Sequence, residues 1–323
     1  MPKNKFYYIN SQKDGEEDPY ERIWSELGRI AGKLGLRRIT DWVKKINSVA
    51  EPAGRVFMSS RPAYVPVEES NVLSILSANL WHDWPWFRGI ENRLEAFAKL
   101  VEEEQIDLVL LQEMARTPIL KADTWLAERL NMSYVYSRSN GSENIGFEEG
   151  LGVFSRFPLT RLPFLRQVSR ISIPFVRRMA LGVTVETPFG EILAFSAHLG
   201  LIRKHNAHQI SELHHWISHL PGDRSVVIGG DFNALEQSRQ IRRVRIYWQD
   251  TYREVKPTGQ SNTHTLNWPW GSKLLNHRID YIFLQPGNPV WRVLDVRHLD
   301  APGGPHSDHR AVMARLAPVS LHI

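Results

Sequence analysis

The chain has no cysteine among its 323 residues. That excludes a disulfide framework, a thiolate nucleophile and a cysteine-ligated zinc site. No stretch approaches the roughly 20 apolar residues that a membrane-spanning helix needs. The opening Met1-Pro2-Lys3-Asn4-Lys5 leads into polar sequence rather than an apolar core, so no secretory signal is expected and a cytoplasmic location is the default. Internal repeats and low-complexity segments are also missing. Neither sign of charge dominates: 40 Lys and Arg stand against 35 Asp and Glu, a net +5, dispersed rather than gathered in a tail. Such a balance favours anionic partners only mildly. What remains is an ordinary globular composition, 42% hydrophobic and 23% charged. The length suits one large domain, or one domain with a short extension.

Residues 1–70 read differently from the rest. Between Pro19 and Ala50, Ile23, Leu27, Ile30 and Leu34 recur at helical spacing, as do Ile39, Val43 and Ile46. Gly32 and Gly35 mark a break between two helices. Arg22, Arg29, Lys33, Arg37, Arg38, Lys44 and Lys45 outnumber the acids of these helices, and Trp24 and Trp42 add interfacial character. A basic amphipathic extension of this kind packs its apolar stripe on its own domain or makes a peripheral membrane contact. Pro52, Pro62 and Pro66 make 51–70 read as an irregular connector. A second unit is expected over 71–323.

From Val72 onward strands and helices alternate. Short apolar runs predict strands over Val72–Ala78, Asp107–Gln112, Gly150–Phe154, Ala180–Glu186, Glu191–Ala197, Ser225–Gly229, Arg278–Leu284, Val290–Arg297 and Ala311–Leu316. Helical periodicity predicts Glu91–Glu104, Thr124–Leu130 and Lys204–Leu220.

Six short stretches end in residues suited to holding a divalent cation or moving a proton beside a phosphate. They are Ser77-Ala78-Asn79-Leu80, Leu111-Gln112-Glu113, Ser196-Ala197-His198-Leu199, Gly229-Gly230-Asp231-Phe232-Asn233-Ala234, Arg278-Ile279-Asp280-Tyr281-Ile282-Phe283 and Ser307-Asp308-His309-Arg310. Five follow or lie in an apolar, β-prone run, and strand ends on a packed sheet can gather distant side chains around one point. Asp231 and Asn233 are two apart on extended chain, so both can face one site. Asp280 sits in an otherwise apolar strand, an expensive place for a carboxylate without a partner. Phosphate esters resist hydrolysis because their charge repels nucleophiles. Their cleavage calls for a cation, a positioned water and donors to the developing charge. His215 and His219 have a spacing that can bind metal, but no third ligand is evident beside them.

The order and content of the six stretches resemble the endonuclease/exonuclease/phosphatase superfamily, from about Val72 to Ala317. The resemblance implies two packed sheets flanked by helices, a four-layer α/β sandwich of the pancreatic-deoxyribonuclease type, preceded here by the helical extension. It also implies a Mg²⁺ or Mn²⁺ cofactor, held by Glu113 with Asn79 beside it and Asp308 as a second contact. An oxygen-rich set of this kind suits a hard cation. By the same resemblance Asp231 orients or deprotonates the attacking water, Asn233 hydrogen-bonds the phosphate or that water, and His198 donates to a non-bridging oxygen. Asp280 pairs with His309, which acts either as general base or as a charged phosphate ligand. Arg178 is a further candidate phosphate ligand.

Two aromatic clusters, Trp81-His82-Asp83-Trp84-Pro85-Trp86-Phe87 and Asn267-Trp268-Pro269-Trp270, are expected at the mouth of the site, with Trp84 and Trp268 as candidate substrate contacts. The tryptophan run departs from the abasic-site nuclease pattern. Around Phe147–Pro158 the chain looks more like the sphingomyelinase-related and poorly assigned bacterial branch. The expected activity is Mg²⁺-dependent hydrolysis of a phosphoester, foremost a phosphodiester, on nucleic acid, phospholipid or a small diester. A metal-dependent nuclease on DNA or RNA is the alternative within that chemistry. A non-catalytic protein that binds membrane or nucleic acid is the alternative outside it.

Overall fold

The structure, a computed structural model, describes residues 56–60, 71–83, 86–142, 146–160, 164–167, 177–259, 261–267 and 273–319. The helices expected before Ala50, and both Trp84 and Trp268, lie outside the described residues.

Two sheets carry the fold. The first comprises β1 (Val56–Ser59), β2 (Leu73–Asn79), β3 (Leu108–Arg116), β4 (Ser133–Ser142), β5 (Phe147–Ser155), β14 (Trp291–Leu299) and β15 (Ala311–Pro318), in the order β1-β4-β5-β3-β2-β15-β14. The second comprises β6 (Phe164–Gln167), β7 (Met179–Thr187), β8 (Gly190–His198), β9 (Val226–Asp231), β10 (Gln249–Asp250) and β13 (Asp280–Gln285), in the order β10-β13-β9-β8-β7-β6. A separate hairpin joins β11 (His264–Asn267) and β12 (Lys273–His277). The helices among the described residues are α1 (Ile90–Glu103), α2 (Ala122–Leu130), α3 (Arg203–Ser218), α4 (Arg239–Val244) and α5 (Thr251–Val255).

The period-2 alternation of the strands sorts side chains into three cores. In β2, Leu73 and Ile75 join Leu108, Leu110, Val183, Val227 and Ile282 between the sheets. Leu76 and Ala78 point the other way, onto Leu94, Phe97 and Val101 of α1 and Leu126 of α2. In the second sheet, Val226, Ile228, Tyr281 and Phe283 pack outward on Ile210, Leu213 and Trp216 of α3. The layers are therefore helix, sheet, sheet, helix. This is the expected four-layer sandwich. α1 buries Leu94, Phe97, Ala98 and Val101 at three- and four-residue spacing, the apolar stripe that the sequence period predicts.

The differences from expectation have local causes. β4 reads as polar, Ser-Tyr-Val-Tyr-Ser-Arg-Ser-Asn-Gly-Ser, yet pairs with β5 along its length, so its order comes from partners rather than from its own apolar content. Val56–Ser59, placed in an irregular connector by its flanking prolines, pairs with β4 as an edge strand. β3 runs past Gln112 to Arg116 through a bulge, where Gln112 and Glu113 together oppose Leu151 of β5.

Candidate active site

The site lies at one end of the space between the sheets, and strand parity explains who reaches it. Asn79 continues the inward series Leu73, Ile75, Ser77. Asp231 continues Val227 and Gly229, His198 continues Ala194 and Ser196, and Asp280 begins the series that Ile282 and Leu284 follow. Ladder register aligns the ends: Asp231 stands opposite His198 on β8 and opposite Asp280 on β13. Glu113 is the exception to parity. Its left-handed backbone, φ +53°, belongs to the β3 bulge and turns the carboxylate inward where plain alternation would aim it at the helices. Strain of that kind in a non-glycine residue is a feature of functional sites.

Close approach of the sheets brings the groups together. A Cβ on Gly229 would lie 2.6 Å from Leu110 and 2.9 Å from the Ser77 side chain, both in the opposite sheet. Gln112 donates to Ser196 Oγ across the gap at 2.9 Å, and Ser196 donates to Leu111 O. Above this seam the Asn79 amide donates to Glu113 Oε1 at 3.1 Å and to Asp231 Oδ2 at 3.2 Å, joining carboxylates of the two sheets. Asn79 Oδ1 accepts from Trp81 N, so the nitrogen is the atom that faces the acids. Asn233, with φ +47°, donates its backbone N–H to Asp231 Oδ1 and its Nδ2 to Oδ2 and to Leu199 O.

Electrostatics divide the site. His309 Nδ1 lies 2.9 Å from Asp280 Oδ2. Burial alone would lower the imidazole pKa, but the Asp280 carboxylate outweighs it, with help from Asp231 and Asp308, and pushes it up to about 10. Asp231 is raised to about 7, by burial first and by the Asp280 charge second. His198 is held well below the ordinary histidine range by burial and by the Arg178 guanidinium, whose Nη1 lies 2.9 and 2.7 Å from the two ring nitrogens. His198 Nε2 is 3.5 Å from Asp231 Oδ2. Asp308 is 40% exposed, with Oδ1 4.0 Å from His309 Nε2 and Oδ2 3.9 Å from His264 Nε2. A polar recess of about 470 Å³ opens beside His309, lined by Thr265, Asn276, Ser307 and Arg310 among others.

Two members of the cluster were not among the expected site residues. Glu149, on the inward face of β5, lies 3.8 Å from His198 Nδ1, and His82 bridges Glu113 and Glu149 at 3.6 Å each. Burial lowers the His82 pKa, but the two carboxylates more than offset it and leave it raised. The signal for Glu149 was its parity with Leu151 and Val153. The signal for His82 was its place in the Trp81–Phe87 run expected at the mouth of the site, three residues after Asn79. His215 on α3 and His219 just after it are exposed, and neither belongs to the potential ligand clusters among the described residues, which are Asp231, Asp280, His309 and His264, Asp308, His309.

The residues present fit a hard cation. Glu113 is pushed up by burial and then by the charge of Glu149, which marks a group of buried carboxylates short of positive charge. Asp280 Oδ1 is buried without a hydrogen-bond partner among the described residues. Oxygen donors from Glu113, Asp231, Asp280 and Asp308 dominate the set.

The model of the Endonuclease/Exonuclease/phosphatase family matches residues 76–309, from β2 to His309. The chain belongs to this family. Its members act on phosphate esters, which places the chain among phosphoester hydrolases in general. No curated protein matches it in sequence. Among solved structures, an endonuclease/exonuclease/phosphatase family protein from Leptotrichia buccalis C-1013-b superposes with a TM-score of 0.61 at 18% identity, covering 76% of this chain and 99% of that one. TDP2 of D. rerio complexed with a single-strand DNA product gives 0.62 at 17% identity, over 76% and 99%. The mannosyl-6-phosphatase Bt3783 of Bacteroides thetaiotaomicron VPI-5482 gives 0.57 at 19%, again over 76% and 99%. These likenesses establish the shared fold. No helix among the described residues is long and apolar enough to cross a membrane.

Proposed function

We propose that the protein hydrolyses phosphodiesters by in-line attack of water, with Mg²⁺ or Mn²⁺ as cofactor. The observation that carries this reading is the convergence of Asn79, Glu113, His198, Asp231, Asp280 and His309, drawn from both sheets, at one end of the sandwich. The ion, held by Glu113 with Asp308 as a second contact, supplies charge neutralisation at the phosphate oxygens when bound. Asn79 sets the two carboxylates, since its amide nitrogen already spans Glu113 and Asp231.

Asp231 takes the proton of the attacking water at a carboxylate oxygen. Its pKa of about 7 suits a base working near neutrality. Asn233 fixes that carboxylate through two donors. His309 cannot serve as base while its pKa stands near 10. It is a cation, with Nδ1 occupied by Asp280 and Nε2 left to donate to the phosphate or its leaving oxygen. Arg178, tied to neutral His198, completes the donors to the non-bridging oxygens. Nucleic acid remains a second reading for the substrate, favoured by the likeness to TDP2 complexed with a single-strand DNA product.

Hydrolysis of bis-p-nitrophenyl phosphate tests the proposal. Turnover is expected with Mg²⁺ or Mn²⁺ and none with EDTA. Absence of metal-dependent turnover on this diester, on nucleic acid and on phospholipid would leave a binding protein as the reading.

A further inference from the structure

One rim of the site carries large aliphatic side chains in water. Leu201 is 59% exposed, Ile202 44% and Leu235 48%. Exposed leucines scattered singly are normal. These three are not scattered. Leu201 and Ile202 follow His198 by three and four residues, and Leu235 follows Asn233 by two. Hydrogen bonds knit the two loops together: Asn233 Nδ2 donates to Leu199 O, and Asn206 Nδ2 donates to both Gly200 O and Phe232 O, at 2.8 and 2.6 Å. Gly200 N is held by Gln209 Oε1, and Arg203 O by Gln240. Asn206 and Gln209 are themselves buried side chains of α3. The backbone is thus pinned by interior amides while its aliphatic groups stay outside, so they cannot fold back into the core.

The charges around them have one sign. Within 199–207 and 234–243 every exposed charged residue is basic: Arg203, Lys204, Arg239, Arg242 and Arg243. The one acid, Glu236, is buried and bound to Arg245, Arg253 and Arg278. Aliphatic tips ringed by arginine and lysine match an anionic bilayer, which takes branched hydrocarbon below its headgroups and attracts basic side chains at them. A single-stranded nucleic acid would call for several rings on which bases stack, and the exposed large apolar side chains of these two segments are leucine and isoleucine, with His205 the one exposed ring.

We infer that Leu201, Ile202 and Leu235, with Arg203, Lys204 and Arg239, dock the protein on an anionic phospholipid surface and present headgroup phosphodiesters to the adjoining site. The docking surface stands on its own geometry. The identity of the substrate as a phospholipid rests on the phosphodiesterase reading.

The test uses the full chain and phosphatidylcholine vesicles with and without phosphatidylglycerol. Sedimentation is expected to recover the wild type with the anionic vesicles. The triple variant Leu201→Ser, Ile202→Ser, Leu235→Ser should lose about tenfold in apparent affinity, with its melting temperature maintained and turnover on soluble bis-p-nitrophenyl phosphate within about twofold. Arg203→Glu with Lys204→Glu should remove the preference for phosphatidylglycerol. Vesicle binding equal to wild type in the triple variant overturns the docking surface, as does failure of the wild type to bind. Loss of single-stranded DNA binding in the triple variant, with vesicle binding intact, reassigns the rim to nucleic acid. If the variants lose vesicles while the wild type cleaves neither the soluble diester, nor nucleic acid, nor the vesicle phospholipid, docking is upheld and the phosphodiesterase reading falls.

Discussion

A single proton separates the two roles that Asp231 and His309 are proposed to play. The imidazole keeps its proton because Asp280 lies 2.9 Å away, and Asp231 is raised partly by that same Asp280 charge. Asp231→Asn keeps the shape but removes the base and one of the two acceptors that serve Asn79 and Asn233, so turnover should fall by about 10³-fold while the fold survives. Near-full activity in that variant would assign the base elsewhere. The Asp280–His309 pair makes a separate prediction about stability. The folded pKa of His309, about 10, lies above its ordinary 6.5, so the pair stabilises fully below pH 6.5, and that stabilisation is lost as pH rises toward 10. Wild type in EDTA should therefore exceed Asp280→Asn by about 3 kcal/mol at pH 6, the scale of breaking a buried pair. The gap should shrink by pH 10. Melting curves at the two pH values check it, and a gap that stays constant would mean that His309 does not gain its charge from Asp280.

At the scale of elements, the strands deliver the site, and the sequence showed which ones. Val-Val-Ile-Gly-Gly-Asp and Leu-Val-Leu-Leu-Gln-Glu announce themselves because a buried strand is apolar until its end, and the polar residue there has somewhere to go. Parity puts Glu149 on the inward face of β5, but its place in the site depends on β5 lying beside β3, a pairing that no local pattern encodes. The inward turn of Glu113 was hidden for the same reason. Only the two-against-one count at the bulge reveals it. β4 and the β11–β12 hairpin escaped because their order comes from neighbours. Glycines at close approaches differ in how far their surroundings can yield. A Cβ on Gly230 would lie 2.0 Å from the Ala197 carbonyl oxygen, which cannot move without breaking the β8–β9 ladder that aligns His198 with Asp231. The nearest atoms to a Cβ on Gly152 belong to side chains, Met114 Sδ at 2.3 Å and Phe154 Cε2 at 2.9 Å, and the methionine is flexible. Gly230→Ala should therefore cost about 3 kcal/mol or more and reduce activity, whereas Gly152→Ala should cost about 1 kcal/mol. Equal destabilisation in thermal melts would show that the ladder yields more readily than its register suggests.

The molecule as a whole is two sheets whose hydrophobic seam ends in a seam of carboxylates. Glu113 and Glu149 come from one sheet, Asp231 and Asp280 from the other, and the Asn79 amide is a tie between them. Without an ion these carboxylates are buried and face one another, and burial first and mutual repulsion second raise the pKa values of Glu113 and Asp231. A divalent cation held there would relieve the repulsion and link the sheets, so metal binding should register as stability of the entire domain. Ligand present at about 100 times its Kd adds roughly 2.7 kcal/mol to a fold that alone can bind it. Saturating Mg²⁺ should accordingly raise the wild-type melting temperature by about 5–10 °C for a domain of this size. Glu113→Gln makes the opposite pair of changes. In EDTA it removes a desolvated charge facing Glu149, so the apo variant should melt at or above wild type. In Mg²⁺ it should gain little, and the order of the two proteins should invert. Calorimetry with and without the ion decides this without recourse to activity. An apo variant clearly less stable than wild type, with an undiminished Mg²⁺ response, would show that Glu113 serves the fold rather than the ion.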